Sequence, residues 1–352
     1  MPSVYITAKI PKVAESLLRA RGFAVEINNS SKNLTKDELK EAFSKHDAVL
    51  TLMTDKIDTD VLKHASKKLK IIANYAIGFD NIDILEARRR GITVTNTPGV
   101  ASESAAEHIL EARRRGITVT NTPGVASESA AEHTFLLILA CAKKLIEADK
   151  FVRLGKFQRW DPLAFLSMQI FGKTIGIVGL GKIGTFVGQI AHSGFRMKIL
   201  YSDISRSEDF EILTEAKFVP LQELLKEADI VTLHCPLTVK TYHLIGKEEF
   251  RQMKNTAILV NTSRGPVVDE EALISALRED EIAACGLDVY EHEPHVSENL
   301  RVLPNVVLTP HSASATVETR EAMARIAAEN IIDVFEGKEP FGLVKSHPLP
   351  HH

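Results

Sequence analysis

Three apolar runs in the second half of the chain each end in polar residues able to do chemistry. Residues 257–261 lead into Thr262-Ser263-Arg264-Gly265, and residues 283–289 carry Asp288 and lead into Glu291-His292-Glu293-Pro294. Residues 306–309 lead into Pro310-His311-Ser312. If the runs are parallel strands of one open sheet, their carboxyl ends face the crevice in which such sheets bind ligands. A guanidinium, a carboxylate and an imidazole gathered there suit reduction of a 2-keto acid. Hydride arriving at the carbonyl carbon drives negative charge onto the carbonyl oxygen. Arg264 can stabilise that charge and grip the substrate carboxylate with its forked donors. His311, as imidazolium, can donate the proton. Glu293, or its neighbour Glu291, can hold the other ring nitrogen, and Asp288 can take the amide of a nicotinamide.

A hydride carrier is written into the sequence as well. Gly179-Leu180-Gly181-Lys182-Ile183-Gly184 follows the apolar run 174–178 and precedes a helical segment at 185–191. A second apolar run, 198–201, ends at Asp203, 19 residues beyond Gly184. G-x-G-x-x-G between strand and helix, with an acid at that distance, is a dinucleotide fingerprint. Gly179 permits the tight turn, Gly181 lets backbone approach a pyrophosphate, and Gly184 lets helix and strand pack closely. The helix N-terminus offers free N–H groups to the phosphates. Asp203 can accept from both adenosine ribose hydroxyls and would repel a 2′-phosphate. That favours NAD(H), with Arg206 near enough to leave NADP(H) as the alternative. Lys182, Ile183, His234, Pro236, Thr241, Thr262 and Ser263 complete the expected cofactor contacts. No metal is expected: the histidines of Glu291-His292-Glu293-Pro294-His295 have the wrong spacing for a zinc helix, and Pro294 lies between them. Cys235 is a weak nucleophile candidate, because adjacent His234 would face the opposite side of a strand.

These residues need a scaffold, and the chain supplies two. Its 352 residues are enough for two domains with separate cores. A net charge of −3, with 44% hydrophobic and 25% charged residues, gives no sign of a nucleic-acid or membrane partner. The three cysteines, scattered through apolar runs, suggest buried thiols in a reducing, cytoplasmic setting. Strands at 4–7, 24–27, 48–52 and 70–74 alternate with helices at 13–21 and after Thr35-Lys36-Asp37-Glu38, a capping box. Such alternation predicts a parallel sheet with helices on both faces. A helix from 127 to about 154 leads into six more parallel strands, at 174–178, 198–201, 230–234, 257–261, 283–289 and 306–309. A helix over 315–335 then recrosses to the first domain. The fold class is therefore α/β, with two doubly wound parallel-sheet domains. Residues 1–126 and 312–352 form one, and 127–311 form the dinucleotide domain.

Residues 84–108 and 109–133 are identical over 25 positions. Each copy carries a helix end, a glycine stop, a strand, a Thr-Pro-Gly turn and a capping box, Ser104–Glu107 or Ser129–Glu132. The join is in phase with structure, since residues 104–115 can run as one helix. Either the sheet gains an edge strand, or one copy bulges outward. An added strand shifts the path into the next domain by about 4.8 Å, enough to lower activity or perturb a dimer. Turnover after deletion of 109–133 tests this; an unchanged rate counts against it. The arginine triplets at 88–90 and 113–115 read as solvated helix ends.

The glycine loop, Thr262-Ser263-Arg264-Gly265, Gly286-Leu287-Asp288-Val289-Tyr290, Glu293-Pro294 and Pro310-His311 together resemble the D-2-hydroxyacid dehydrogenase family. The resemblance covers nearly the whole chain. It implies a Rossmann NAD-binding domain, a flavodoxin-like substrate domain that closes on it, and a homodimer through the NAD-binding domain. It assigns catalysis to Arg264, Glu293 and His311, which selects Glu293 over Glu291. Asn74-Tyr75-Ala76-Ile77-Gly78-Phe79-Asp80 resembles the family loop whose amides hold the substrate carboxylate and is most similar to glyoxylate and hydroxypyruvate reductases. The resemblance also implies that Trp160 is a pocket residue donated by a neighbouring subunit, the alternative being a packed surface Trp. Met53 and Tyr75 are expected to set pocket size. Corepressors of the carboxy-terminal-binding type share this fold, so an NAD-binding regulator or an inactive duplication variant is the alternative to an enzyme. The duplication departs from the family.

Overall fold

The computed structural model describes residues 1–30, 32–76, 78–97, 125–341 and 343. The chain divides into two compact units, Met1–Ala126 with Ala315–His352, and Ser127–Ser314.

The first unit is built on β1 (Ser3–Ile6), β2 (Ala24–Ile27), β3 (Ala48–Leu52), β4 (Ile71–Tyr75) and β5 (Thr93–Thr95). All pairings are parallel, in the order β2-β1-β3-β4-β5, the flavodoxin-like winding. Residues 71–75 of β4 are buried without a break, which a parallel strand tolerates only when both faces are covered. Leu18, Met323, Ala327 and Ile331 share one buried cluster with β1, β3 and β4. Leu39, Phe43, Leu62 and Ala87 form another with Val49 and Ile72. The helix Val317–Phe335 thus returns to this sheet. Thr35 caps the helix Lys36–Lys45 reciprocally with Glu38, whose carboxylate accepts from Thr35 N at 2.7 Å. The helix expected over 104–115 and the strand expected over 117–120, like the Ser104 capping box, lie outside the described residues.

The second unit carries β6 (Thr174–Val178), β7 (Lys198–Ser202), β8 (Lys217–Phe218), β9 (Ile230–Leu233), β10 (Ile258–Asn261), β11 (Ala284–Leu287) and β12 (Val306–Leu308). Their order, β12-β11-β10-β9-β6-β7-β8, is entirely parallel. Counted from β6, this is the Rossmann order 3-2-1-4-5-6 with a seventh strand added beyond the sixth. The six-strand expectation misses β8, whose two residues are too few to show a period. The expected helix 127–154 is two helices, Val125–Ala142 and Leu145–Arg153, separated by left-handed Lys144 at φ 52°. There the carbonyl of Ala142 accepts from Met168 N at 3.0 Å, and Lys143 Nζ donates to Met168 O at 2.8 Å. A tertiary contact therefore takes over where the helical ladder would continue. The Ser129 capping box does not form either. Ser129 already lies inside a helix, and its hydroxyl donates to Ala313 O at 2.7 Å. The second unit extends to Ser314, and within it Ser312 and Ala313 are bonded to Asp288.

Candidate active site

The carboxyl ends of β10, β11 and β12 bring three side chains to one rim. His311 Nδ1 lies 2.8 Å from Glu293 Oε2. The other oxygen of Glu293 accepts from Tyr290 N at 3.0 Å, which aims the carboxylate. Glu291 points elsewhere: its oxygens meet His243 Nε2 at 2.7 Å and Glu270 N at 3.1 Å. His311 has φ 52°, an uncommon conformation for a non-glycine residue. Its N–H donates to the carbonyls of Asp288, at 2.9 Å, and Thr309, at 3.1 Å. Arg264 stands in a loop fixed by buried Asn261, whose amide donates to Arg264 O at 2.9 Å and whose carbonyl accepts from Ser263 N at 3.0 Å. Gly265 brings this loop against the next: a Cβ there would overlap the Tyr290 carbonyl and lie 2.6 Å from Glu291 N.

At the same edge, β6 ends in the glycine loop. Gly179 has φ +93°, and a Cβ on it would meet backbone of His234 and Cys235. A Cβ on Gly184 would overlap the carbonyl of Gly179. Gly181 differs. Its φ of −75° is open to any residue, and a Cβ there would touch nothing within 4 Å. The protein itself gives no reason for glycine at 181, so the open space in front of the helix Lys182–Phe195 fits a ligand that needs backbone contact. Asp203 ties β7 to this loop: its Oδ2 accepts from Leu180 N at 2.6 Å, and its Oδ1 from Ile204 N at 2.6 Å. Beside the turn, both ring nitrogens of His234 are buried with no hydrogen-bond partner among the described residues. Burial pushes that imidazole down to about 3, so it is neutral, with a donor and an acceptor to offer.

Two family models cover most of the chain. The one described as "D-isomer specific 2-hydroxyacid dehydrogenase, NAD binding domain" matches residues 135–313, and the corresponding "catalytic domain" matches 4–109. The chain belongs to this dehydrogenase family. The glyoxylate reductase of Thermococcus gammatolerans is 45% identical over 347 residues, 97% of this chain and 96% of the relative. That of Korarchaeum cryptofilum is 44% identical over 345 residues, with the same coverages. A Thermus thermophilus protein of solved structure superposes at TM-score 0.85 and 38% identity, over 97% of this chain and 100% of that one. The NADPH-dependent glyoxylate/hydroxypyruvate reductase of Sinorhizobium meliloti superposes at 0.77 and 27%, over 98% of each. The two family matches leave residues 110–134 between them, the length of one repeat copy.

The dehydrogenase is an oxidoreductase with a nicotinamide-binding domain, and its glycine loop fits that cofactor. Gly181→Ala is expected to leave the melting temperature unchanged while weakening NADH binding tenfold or more in a fluorescence titration. Gly184→Ala should lower both, because its methyl meets backbone. Equal NADH affinity in Gly181→Ala and parent would remove the ligand-based reason for glycine there.

Asp288 is wholly buried at the end of β11. Its Oδ1 accepts from Thr309 Oγ1 at 2.6 Å and Ser312 N at 2.8 Å, its Oδ2 from Ala313 N at 2.8 Å, and His133 Nε2 lies 3.4 Å away. Burial pushes the carboxyl up, but the bonds from His133, Thr309 and the two amides outweigh it and hold it below the usual range. One buried carboxylate thus straps down the turn that carries His311. The helix Val125–Ala142 buttresses the turn from behind: His133 Nε2 is 3.0 Å from Thr309 Oγ1, and Thr134 Oγ1 is 3.0 Å from that of buried Thr262. Sequence reading missed Ser129, His133 and Thr134. The one available signal was a polar cluster heading the apolar run 135–142.

Thr241 Oγ1 donates to Pro236 O and accepts from Thr238 N at 2.7 Å, closing the loop after β9. In the first unit Met53 is half-buried and Ala76 buried. Tyr75 is a core residue, its hydroxyl donating to Arg320 O at 2.7 Å, so its backbone, not its phenol, is left for a ligand. Gly78 O accepts from Asn74 Nδ2 at 2.9 Å, and Ile77 lies outside the described residues. Trp160 is 78% exposed, so it is not packed on its own subunit. The three cysteines are free and buried. Burial pushes the Cys235 thiol up to about 11, which disfavours the thiolate that a nucleophile needs. Among the described residues, no helix is long and apolar enough to cross a membrane.

Proposed function

We propose that the enzyme reduces glyoxylate, hydroxypyruvate or a 2-keto acid of similar size to the D-2-hydroxy acid, with NADH as the preferred reductant. The observation that carries the reading is the His311–Glu293 pair, 2.8 Å apart, on the sheet edge that holds Arg264 and the glycine loop. Bound nicotinamide cofactor would supply the hydride. Arg264 grips the substrate and stabilises the growing oxyanion, and His311 delivers the proton to that oxygen. Glu293, held by Tyr290 N, orients the ring and stabilises its charged form. The backbone amides of Ala76, Ile77 and Gly78 are the proposed carboxylate cradle, with Met53 beside it. Thr262 and Ser263 line the nicotinamide side; Lys182, Ile183, His234, Pro236 and Thr241 line the rest of the cofactor groove. Asp203, at the end of β7, favours the unphosphorylated ribose.

From Leu145 to Phe171 runs a series of exposed apolar side chains, including Leu154, Phe157, Trp160 and Leu163. A monomer rarely leaves so much apolar surface in water. A second copy of the chain is the proposed cover, which makes the enzyme a homodimer and lets Trp160 serve the neighbouring subunit. Three unbridged thiols suit the cytoplasm.

The test is NADH oxidation by the purified chain on a panel of glyoxylate, hydroxypyruvate, pyruvate and phenylpyruvate, with chiral analysis of the product. Turnover is expected on the small acids, yielding the D-isomer. NADH binding without turnover of any 2-keto acid would sink the proposal and favour a regulatory role.

A further inference from the structure

The turn after Asp203 holds a cation already in use. Arg206 meets Glu211 through both faces of its fork: Nε lies 2.9 Å from Oε1 and 3.1 Å from Oε2, and Nη2 lies 2.7 Å from Oε2. Glu211 is not a loose surface acid. Its side chain is 15% exposed, and its Oε1 also accepts from the hydroxyl of Tyr201 at 2.7 Å. Tyr201 is itself wholly buried in β7, and its oxygen accepts from Ser207 N at 2.8 Å. The bonds from Arg206 and Tyr201 hold the Glu211 carboxyl down to about 2, so it is ionised at any working pH. Glu211 is thus anchored, whereas the Arg206 side chain, 60% exposed, is the partner held in place.

Arg206 lies three residues beyond Asp203, the acid proposed to meet the adenosine ribose. A 2′-phosphate placed there would bring nearly two negative charges beside Asp203, and Arg206, in the same turn, carries the guanidinium that could balance them. We propose that Glu211 is a specificity-determining residue which acts by keeping Arg206 occupied, so that a 2′-phosphorylated dinucleotide finds a carboxylate and no free guanidinium. NADP(H) is then refused twice, by repulsion from Asp203 and by the capture of Arg206. This rests on the NADH preference proposed above.

Fluorescence titration of the full-length protein with NADH and with NADPH tests it without turnover. Glu211→Gln keeps the size and the acceptor for Tyr201 but releases Arg206. The ratio of NADPH to NADH dissociation constants should fall at least fivefold, through tighter NADPH binding. Glu211→Gln combined with Arg206→Ala should lose that gain. Arg206→Ala alone should change NADPH affinity less than twofold, and this arm stands even if Glu211→Gln fails to fold. A large loss of NADPH affinity in Arg206→Ala overturns the proposal, because Arg206 would then already serve the phosphate. So does a folded Glu211→Gln protein with an unchanged ratio. A parent chain that binds NADPH more tightly than NADH overturns instead the cofactor preference on which the inference rests.

Discussion

His311→Asn should lower kcat by about two to four orders of magnitude, the usual worth of a positioned general acid, and leave NADH affinity near the parental value. The choice of asparagine follows from the backbone. His311 sits at φ 52°, where asparagine is among the residues best tolerated, whereas alanine would add strain to the loss of the imidazole. Asparagine also keeps the main-chain bonds from residue 311 to the Asp288 and Thr309 carbonyls. What it cannot do is give up a proton. On the tenfold-per-1.36 kcal/mol scale, the expected loss corresponds to about 3–5 kcal/mol of transition-state stabilisation. Steady-state kinetics with the best 2-keto acid, set beside NADH titration and thermal melting, separates the outcomes. A folded variant with intact NADH binding and kcat within threefold of the parent would mean that the proton comes from elsewhere, and Glu293 would lose its role as well.

The broad architecture was legible because it is written in local patterns. Long apolar runs bounded by turns mark β4, β6 and β10, and the spaced glycines of Gly179–Gly184 mark the junction of β6 with the helix that follows. What escaped was fixed by partners distant in sequence. Lys144 breaks a helix because Met168 takes the Ala142 carbonyl, and no periodicity shows that exchange. Lys217–Phe218 becomes a strand by pairing with β7, and two residues carry no pattern. At the site, spacing puts Asp288 at a strand end but cannot say which way it points. The structure turns it inward onto Thr309, Ser312 and Ala313. His133 reads from sequence like any polar residue heading an apolar helix, because its partners Thr309 and Asp288 lie far along the chain. Spacing leaves Glu291 and Glu293 equivalent; what distinguishes them in space is His243, which holds Glu291.

The close approach at Gly265 carries the second large effect. Gly265→Ala should reduce kcat by a hundredfold or more and lower the melting temperature, with little change in affinity for ADP-ribose. The added methyl would overlap the carbonyl of Tyr290, and its neighbours there are main-chain atoms that no rotamer change can move aside. Overpacking of this kind typically costs about 1–3 kcal/mol, but the catalytic loss should exceed what stability alone explains. The segment that must shift begins at Tyr290, whose N–H aims Glu293. Glu293 in turn holds His311, and the residue preceding the substitution is Arg264. One displacement therefore moves all three side chains relative to one another, and a misplacement of about 1 Å can cost a hundredfold in rate. The glycine loop, at the end of a different strand, is untouched, so binding of ADP-ribose, which lacks the nicotinamide that Thr262 and Ser263 would line, serves as the internal control. Parental kcat in Gly265→Ala would show that the two loops can separate without consequence, and the geometry of the Arg264–Glu293–His311 group would then not be what sets the rate.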